Sequence, residues 1–426
     1  MDSIAAEWIF PVTSPPLHRH TIEVKNGLIS RIRPSQPSDT LLTDICILPG
    51  LINSHTHLAY TALRNLFDDL EFFPWIRKIT EVKYQKMSED DVVLSTRMGI
   101  AECLRAGITT VADMSDFEPA LKTLFESPLR GIFYWEVFGV EKEHAAKTWS
   151  DLQRLYPRLK SEYQTDRLKV GLSPHAVYTV RPELYREIAQ MAVLEKIPIS
   201  FHVAESRAEE KFIGKRSGVI QKFLEKRAAD WEILGNTSIA HLAKTGIFDT
   251  KPLLAHLVQV SSQDMDILQD YQVSIAHCPK SNAKFSHGIA PVTKLVNRGF
   301  RVCLGTDSAA SNNRLDLFEE ARFALLQQRN LEKGQALSEQ QLLEMMTIRG
   351  AEALGMQKEV GSLEPGKQAD MIALRMPSFY ADARQVLYHL INTSTSADVT
   401  KTIISGKEVV VADPAPGIRK LYERLQ

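Results

Sequence analysis

The chain has few cysteines: Cys46, Cys103, Cys278 and Cys303 are all that 426 residues contain, and none forms a CxxC pair. A disulfide framework or a cysteine-based zinc cluster is thereby excluded, and reduced thiols buried in apolar stretches are expected. No uninterrupted apolar run approaches the ~18 residues that a membrane-spanning helix needs. The opening MDSIAAEWIFPVTSPP carries acids in place of the basic n-region of a secretory leader, so a signal peptide is not expected. An excess of one charge is missing too, since 51 Lys and Arg stand against 52 Asp and Glu, a net charge of −1. That balance, without long basic runs, argues against nucleic acid as the main partner. A content of 44% hydrophobic and 24% charged residues rules out wholesale disorder. The expectation is a cytoplasmic enzyme or scaffold with no membrane contact.

What is present is an alternation of short apolar runs with longer helical stretches, as in βα units. Eight runs read as buried parallel strands: 47–55, 108–114, 131–139, 168–176, 197–205, 253–260, 273–282 and 301–308. Segments between them, such as 91–107 and 182–196, have helical periodicity. Eight strand–helix units in about 300 residues is the count of a (β/α)8 TIM barrel, an α/β fold. Most of the runs end in a reactive side chain: His55 with His57, Asp113, Glu136, His175, His202 with Glu205, His256, His277 and Asp307. In such barrels the reacting groups gather at the C-terminal strand ends. Five of the eight runs carry His there although the chain has only 12, which random placement does not explain.

The two ends differ from the middle. Residues 21–32 place an Asn-Gly pair between alternating runs, the mark of a hairpin. Residues 361–375 and 399–410 are again short strands broken by Gly. Residues 1–48 and 359–426 therefore read as one composite β-sandwich domain, with the metal-dependent barrel over 49–358 inserted between them.

In His55-Thr56-His57 the two imidazoles are two residues apart, so both point to one side of an extended strand end. Two neutral imidazoles need further ligands to hold a divalent metal. His202 and Asp307 are natural candidates, completing a His₃Asp set with room for a water. His18-Arg19-His20 has the same spacing but reads as a solvated loop, without partners at other strand ends.

The motifs PGLINSHTH, FHVAES, AHCPKSN and GTDSAASNN together resemble the amidohydrolase superfamily, in its adenosine- and cytosine-deaminase-like branch. The resemblance spans essentially the whole chain. It implies one catalytic Zn²⁺ bound by His55, His57, His202 and Asp307, a ligand set that accepts Fe²⁺ as well. Binuclear members carry a carboxylated Lys at the end of strand four. Here His175 stands there, which favours one metal.

A divalent metal lowers the pKa of water towards neutrality, and general acid–base groups must then move protons. The resemblance gives the shuttle role to Glu205, a hydrogen bond to the attacking water to His256, and a proton-accepting role to Asp307. Glu209 and Glu210 read as ordinary surface carboxylates. His175 matches a substrate-touching position, while Lys280, Ser281 and Asn282 read as supports for the site. Residues 58–81 would form a lid, with Phe72, Phe73 and Trp75 offering apolar surface to a flat heteroaromatic ring. Glu81 falls near a family position that bonds ribose hydroxyls. Strand three carries Glu136 where deaminases of methylthioadenosine and S-adenosylhomocysteine typically have an Arg.

The resemblance implies a small-molecule aminopurine nucleoside as substrate, losing its 6-amino group as ammonia, and the EVFG strand, the PWIRK lid and HVAESRAEE look more like aminodeoxyfutalosine deaminases. Aminodeoxyfutalosine, an intermediate of menaquinone biosynthesis, comes first, with Arg77, Lys78 or Lys280 meeting the carboxylate of its tail. Methylthioadenosine or S-adenosylhomocysteine comes next. The alternatives are triazine-type chlorohydrolysis, guanine or cytosine deamination and, from a different class, a non-catalytic barrel scaffold. Members of the family often pair, so a homodimer is compatible with the reading.

Overall fold

Alternation in the first strands sends their two faces to different places. β1 (Ser3–Ile9), β2 (Leu17–Lys25), β3 (Leu28–Pro34) and β4 (Leu41–Pro49) open the chain. In β1 and β4, Ile4, Ala6, Ile9 and Ile47 join one apolar cluster. The intervening Trp8, Cys46 and Leu48 join a second, much larger one. A two-residue side-chain period, its phase shifted by the bulge between Ala6 and Trp8, puts each of these strands between two cores. The Asn-Gly hairpin is present: Asn26 and Gly27 both adopt positive φ, 53° and 78°, between the paired Lys25 and Leu28. The chain is seen as a computed structural model describing residues 1–225, 227, 230–332, 337–411 and 417–425.

Eight parallel strands follow: β5 (Leu51–Thr56), β6 (Ile108–Ser115), β7 (Arg130–Val137), β8 (Leu168–Pro174), β9 (Ser200–Val203), β10 (Leu253–His256), β11 (Ser274–His277) and β12 (Arg301–Leu304). Each falls within one of the eight expected runs or overlaps it. They form two four-stranded sheets, β5-β6-β7-β8 and β9-β10-β11-β12. At one seam, single parallel bridges join Leu172 to Ile199 and Ala176 to His202. At the other, the amides of Thr306 and Asp307 both donate to the His55 carbonyl, at 3.1 and 2.9 Å.

Several expected strands are shorter than their apolar runs. The first run breaks at Gly50, where a β-carbon would meet the Thr109 side chain at 2.1 Å, so its opening residues belong to β4. β10 stops at His256 because His256 and Leu257 take φ of 75° and 44°. β11 stops at His277 because Pro279 begins a helix, Pro279–Lys284.

β13 (Met371–Arg375), β14 (Val399–Ile404) and β15 (Lys407–Glu408) return to the first strands, giving a seven-stranded sheet ordered β15-β14-β13-β4-β1-β2-β3. His18 and His20 lie in β2, a strand and not the loop expected for them. Arg130, at the start of β7, bridges the two units. Its guanidinium donates to Asp370 at 2.5 Å, Gln368 at 2.8 Å and the Ser405 hydroxyl at 2.5 Å. All four cysteines are buried and free. Helices α1 (Phe72–Gln85) and α2 (Glu89–Arg105) follow β5, and α2 starts in a reciprocal Ser88–Asp91 capping box. Among the described residues no helix is long and apolar enough to cross a membrane.

Candidate active site

The cavity lies at the C-terminal ends of the parallel strands, with a volume of about 1050 Å³, and His57, His175, His202, Glu205, His256 and Asp307 all line it. His55, fully buried, sits just beneath. Asp307 follows Gly305, where a β-carbon would lie 2.7 Å from the His55 Cβ and 2.9 Å from its backbone nitrogen. Only glycine lets the end of β12 approach His55 so closely. Asp307 then takes φ of 59°, an uncommon conformation stabilised by its own amide bond to His55.

Four ligand-type side chains converge there. The Asp307 Oδ1 oxygen is 3.6 Å from the Nε2 atoms of both His55 and His57. His57 and His202 bring their Nε2 atoms to 3.3 Å. A tetrahedral ion with bonds of about 2.0–2.2 Å would place its ligand atoms about 3.3–3.6 Å apart. Backbone carbonyls fix the tautomers: Nδ1 of His57 faces the Met114 oxygen at 3.1 Å, and Nδ1 of His202 faces that of His175 at 2.9 Å. Each Nδ1 must therefore carry hydrogen, which leaves both Nε2 atoms as free donors towards a cation. Both His55 nitrogens are buried without a hydrogen-bond partner, a costly state that a metal bond would relieve. Burial lowers His55 to about 4 and takes His57 well below its ordinary value, so both are neutral, as ligands must be. The donor set therefore fits one divalent ion.

Asp307 is braced from two sides, by the Ser308 amide at 2.7 Å and the Ser281 hydroxyl at 2.6 Å. Burial opposes its charge, yet the His55 and His57 imidazoles hold it well below the usual carboxylate range. His256 Nδ1 meets the Asn282 side-chain oxygen at 2.9 Å, which turns Nε2 towards the cavity. Ser281 and Asn282 thus support the site from behind, as their motif suggested.

Glu205 extends beside this cluster, its Oε1 atom 3.7 Å from His256 Nε2 and 3.4 Å from His287 Nε2. Burial works against its charge, but the two histidines outweigh that and hold the carboxyl at about 2. Its position depends on Glu209, which corrects one expectation. Glu209 is not a surface residue but fully buried, and its carboxylate accepts from the amides of Ala204 at 2.7 Å and Glu205 at 3.1 Å. Ala204, at φ 51°, makes the turn that brings those amides together.

The remaining sequence candidates divide. Glu136, at the end of β7, is buried with Oε1 3.9 Å from His57 Nδ1 and 3.9 Å from His175 Nε2. Burial raises its carboxyl above the ordinary value, with Lys83 offsetting part of the rise. Phe72, Phe73, Trp75 and Arg77, all on α1, line the cavity. Glu81 does not line it, nor does Lys78, with which it pairs at 3.0 Å. Lys280 is likewise engaged, by Glu319 at 2.6 Å. Of the three cations considered for a tail carboxylate, Arg77 alone lines the cavity.

Sequence reasoning missed Lys83, Tyr60 and Asp116. Lys83 is buried in the cavity wall, 2.7 Å from Asp116 and 3.9 Å from Glu136, with the Tyr60 ring 4.9 Å away. A signal existed: Phe72, Trp75, Ile79 and Lys83 follow helical spacing along the inward face of α1.

Residues 46–409 match the amidohydrolase family, and the chain belongs to it. It is accordingly a hydrolase. A 5-methylthioadenosine/S-adenosylhomocysteine deaminase of Thermoanaerobacter pseudethanolicus is 33% identical over 391 residues, covering 90% of this chain and 86% of its own. An adenosine deaminase from Xanthomonas campestris, solved with zinc bound, superposes with a TM-score of 0.87 at 24% identity, covering 99% of this chain and 98% of its own. The aminofutalosine deaminase of Helicobacter pylori, solved with methylthio-coformycin, superposes with a TM-score of 0.80 at 21% identity, covering 96% and 100%. These two structures share the fold.

Proposed function

We propose that the chain is a zinc-dependent hydrolytic deaminase of adenine-type nucleosides. In this reading residues 49–358 form a closed (β/α)8 barrel, and residues 1–48 with 359–426 a β-sandwich packed on it. The single observation that carries the reading is the convergence of His55, His57, His202 and Asp307, with separations of 3.3–3.6 Å for three of their pairs, and Glu205 alongside. Relatives named as deaminases at 33% identity add to it.

Zinc held by those four residues supplies Lewis acidity that brings the ionisation of water into the neutral range. Glu205 accepts one proton of the attacking water and passes it to the purine ring nitrogen, where it stays; the second water proton goes by way of Asp307 to the amine, and the carbon–nitrogen bond breaks as ammonia leaves. His256, turned inward by Asn282, hydrogen-bonds the attacking oxygen as it adds to the ring carbon bearing the amino group. Asp307 thus holds that second proton only in passing and ends the cycle as the carboxylate. His175, Phe72, Trp75 and Glu136 hold the ring and sugar while the aromatic roof excludes water.

Aminodeoxyfutalosine is the favoured substrate. The cavity continues beyond the histidines between Phe73, Leu152, Leu155 and Phe223, and Arg77 also lines it. Apolar walls suit an aryl tail and the guanidinium suits its carboxylate. Methylthioadenosine and S-adenosylhomocysteine come next, because 33% identical relatives carry those names. Ammonia release from each of these compounds, and from adenosine, guanine and cytosine, tests the reading. Turnover of an adenine nucleoside with aminodeoxyfutalosine fastest is expected, and inactivity on every adenine compound would overturn it.

A further inference from the structure

We propose that His287 is a positioning residue for Glu205. Its imidazole N–H holds one oxygen of that carboxylate, so the other is presented to the substrate. The inference rests on the reading of Glu205 as the proton carrier.

His287 lies on the loop after the helix Pro279–Lys284, far in sequence from Glu205. Its flanking residues Ser286 and Gly288 both take positive φ, 55° and 115°, and these two turns aim the side chain inward. The backbone is anchored on both sides. The His287 amide donates to the Asn282 carbonyl at 2.9 Å, and the Gln259 side-chain amide donates to the His287 carbonyl at 2.5 Å. The ring is buried, and its Nε2 atom is 3.4 Å from Glu205 Oε1. Among the described residues that nitrogen makes no well-aligned hydrogen bond, and the acceptor it faces is the Glu205 oxygen. A carboxylate oxygen can only accept, so the nitrogen facing it carries the hydrogen.

Two further contacts give the arrangement a purpose. His256 Nε2 faces the same Oε1 atom from 3.7 Å, beyond hydrogen-bond distance, so that oxygen lies between the two imidazoles with His287 the nearer. Asn282 ties them together, through its side chain to His256 and its carbonyl to His287. On the opposite side the Phe72 ring meets the His287 ring edge-on at 4.6 Å. Phe72 is the first residue of α1, so the roof of the cavity and the proton carrier share one imidazole.

The test compares His287→Leu, which removes the donor, with His287→Gln, whose side-chain N–H reaches the same place. His287→Leu should lower kcat about 10-fold or more, with KM within about twofold and zinc content unchanged. The acid limb of its kcat–pH profile should move to higher pH, and His287→Gln should recover most of the rate. Wild-type kcat in His287→Leu, or equal impairment of both variants, would overturn the proposal. A second readout does not need turnover. In histidine-labelled, zinc-loaded protein the His287 imidazole N–H resonance, assigned by its absence from His287→Gln, should shift in Glu205→Ala. An unmoved resonance overturns the proposal as well. Wild-type protein inactive on every adenine compound would defeat the functional reading alone, and the resonance would still decide this one.

Discussion

Nε2 of His202 lies 3.3 Å from Nε2 of His57, and a carbonyl pins the proton of each ring on the far nitrogen. Two lone pairs held that close repel unless a cation sits between them. Metal should therefore stabilise the fold measurably. Free zinc at 100 times its dissociation constant contributes about 2.7 kcal/mol. Chelation should lower Tm by several degrees, and added zinc should restore it. His202→Ala should lose both the metal and this response. A Tm indifferent to chelator and zinc would sink the metal site.

Glu205→Gln keeps shape and hydrogen bonding but cannot take a proton. It should retain zinc, while deaminase turnover falls by roughly 10²-fold or more. Metal content by elemental analysis and steady-state rates decide the matter, and an undiminished rate removes Glu205 from the proton path.

Asp113 is buried at the end of β6, where it accepts the Leu58 amide at 2.8 Å while its second oxygen has no partner. Burial pushes its carboxyl up to about 8, and Glu136 adds to the rise. Below pH 4 both folded and unfolded chains are protonated here; between about 4 and 8 only the folded chain is, so this stabilising contribution fades as pH rises. Asp113→Asn lacks the titration. Its stability relative to wild type should grow between pH 5 and 8, by at most about 1.4 kcal/mol per pH unit. Urea melts across that range measure it, and a constant difference contradicts the assignment.

Arg130 and Asp370 join the parallel strands to the seven-stranded sheet as a buried pair. Arg130→Met strands a buried carboxylate and should cost about 3–5 kcal/mol. Adding Asp370→Leu should recover much of that. Denaturant unfolding of the two single variants and the double variant gives the coupling, and additive losses would show that the pair does not act as a unit.

The gathering of these side chains was legible because period and position coincide: His55, His57, His202 and Asp307 lie at or near the ends of apolar runs, and the family motifs surround them. Residues whose direction depends on tertiary packing were not. Lys83 lies on the same inward stripe as Ile79, yet a charge there reads as solvent-facing until Asp116 is seen against it. Glu209 looked like its neighbour Glu210, and only the turn at Ala204 makes its carboxylate a buried anchor. Glu81 is the converse case: it lies off the cavity lining and pairs with Lys78, a direction that sequence spacing alone does not give. Strand ends misjudged at 256 and 277 follow from backbone conformation, which apolar content does not encode.

Gly305 has a consequence for how this molecule can change over generations. The atom that every other amino acid would add there collides with the main chain of His55, so mutation at that codon would displace His55 and Asp307 together. Variation in the strand that delivers Asp307 is thereby channelled into its earlier residues. Room for change is left to the outer walls of the cavity, since the roof is itself tied to the centre through Phe72 and His287.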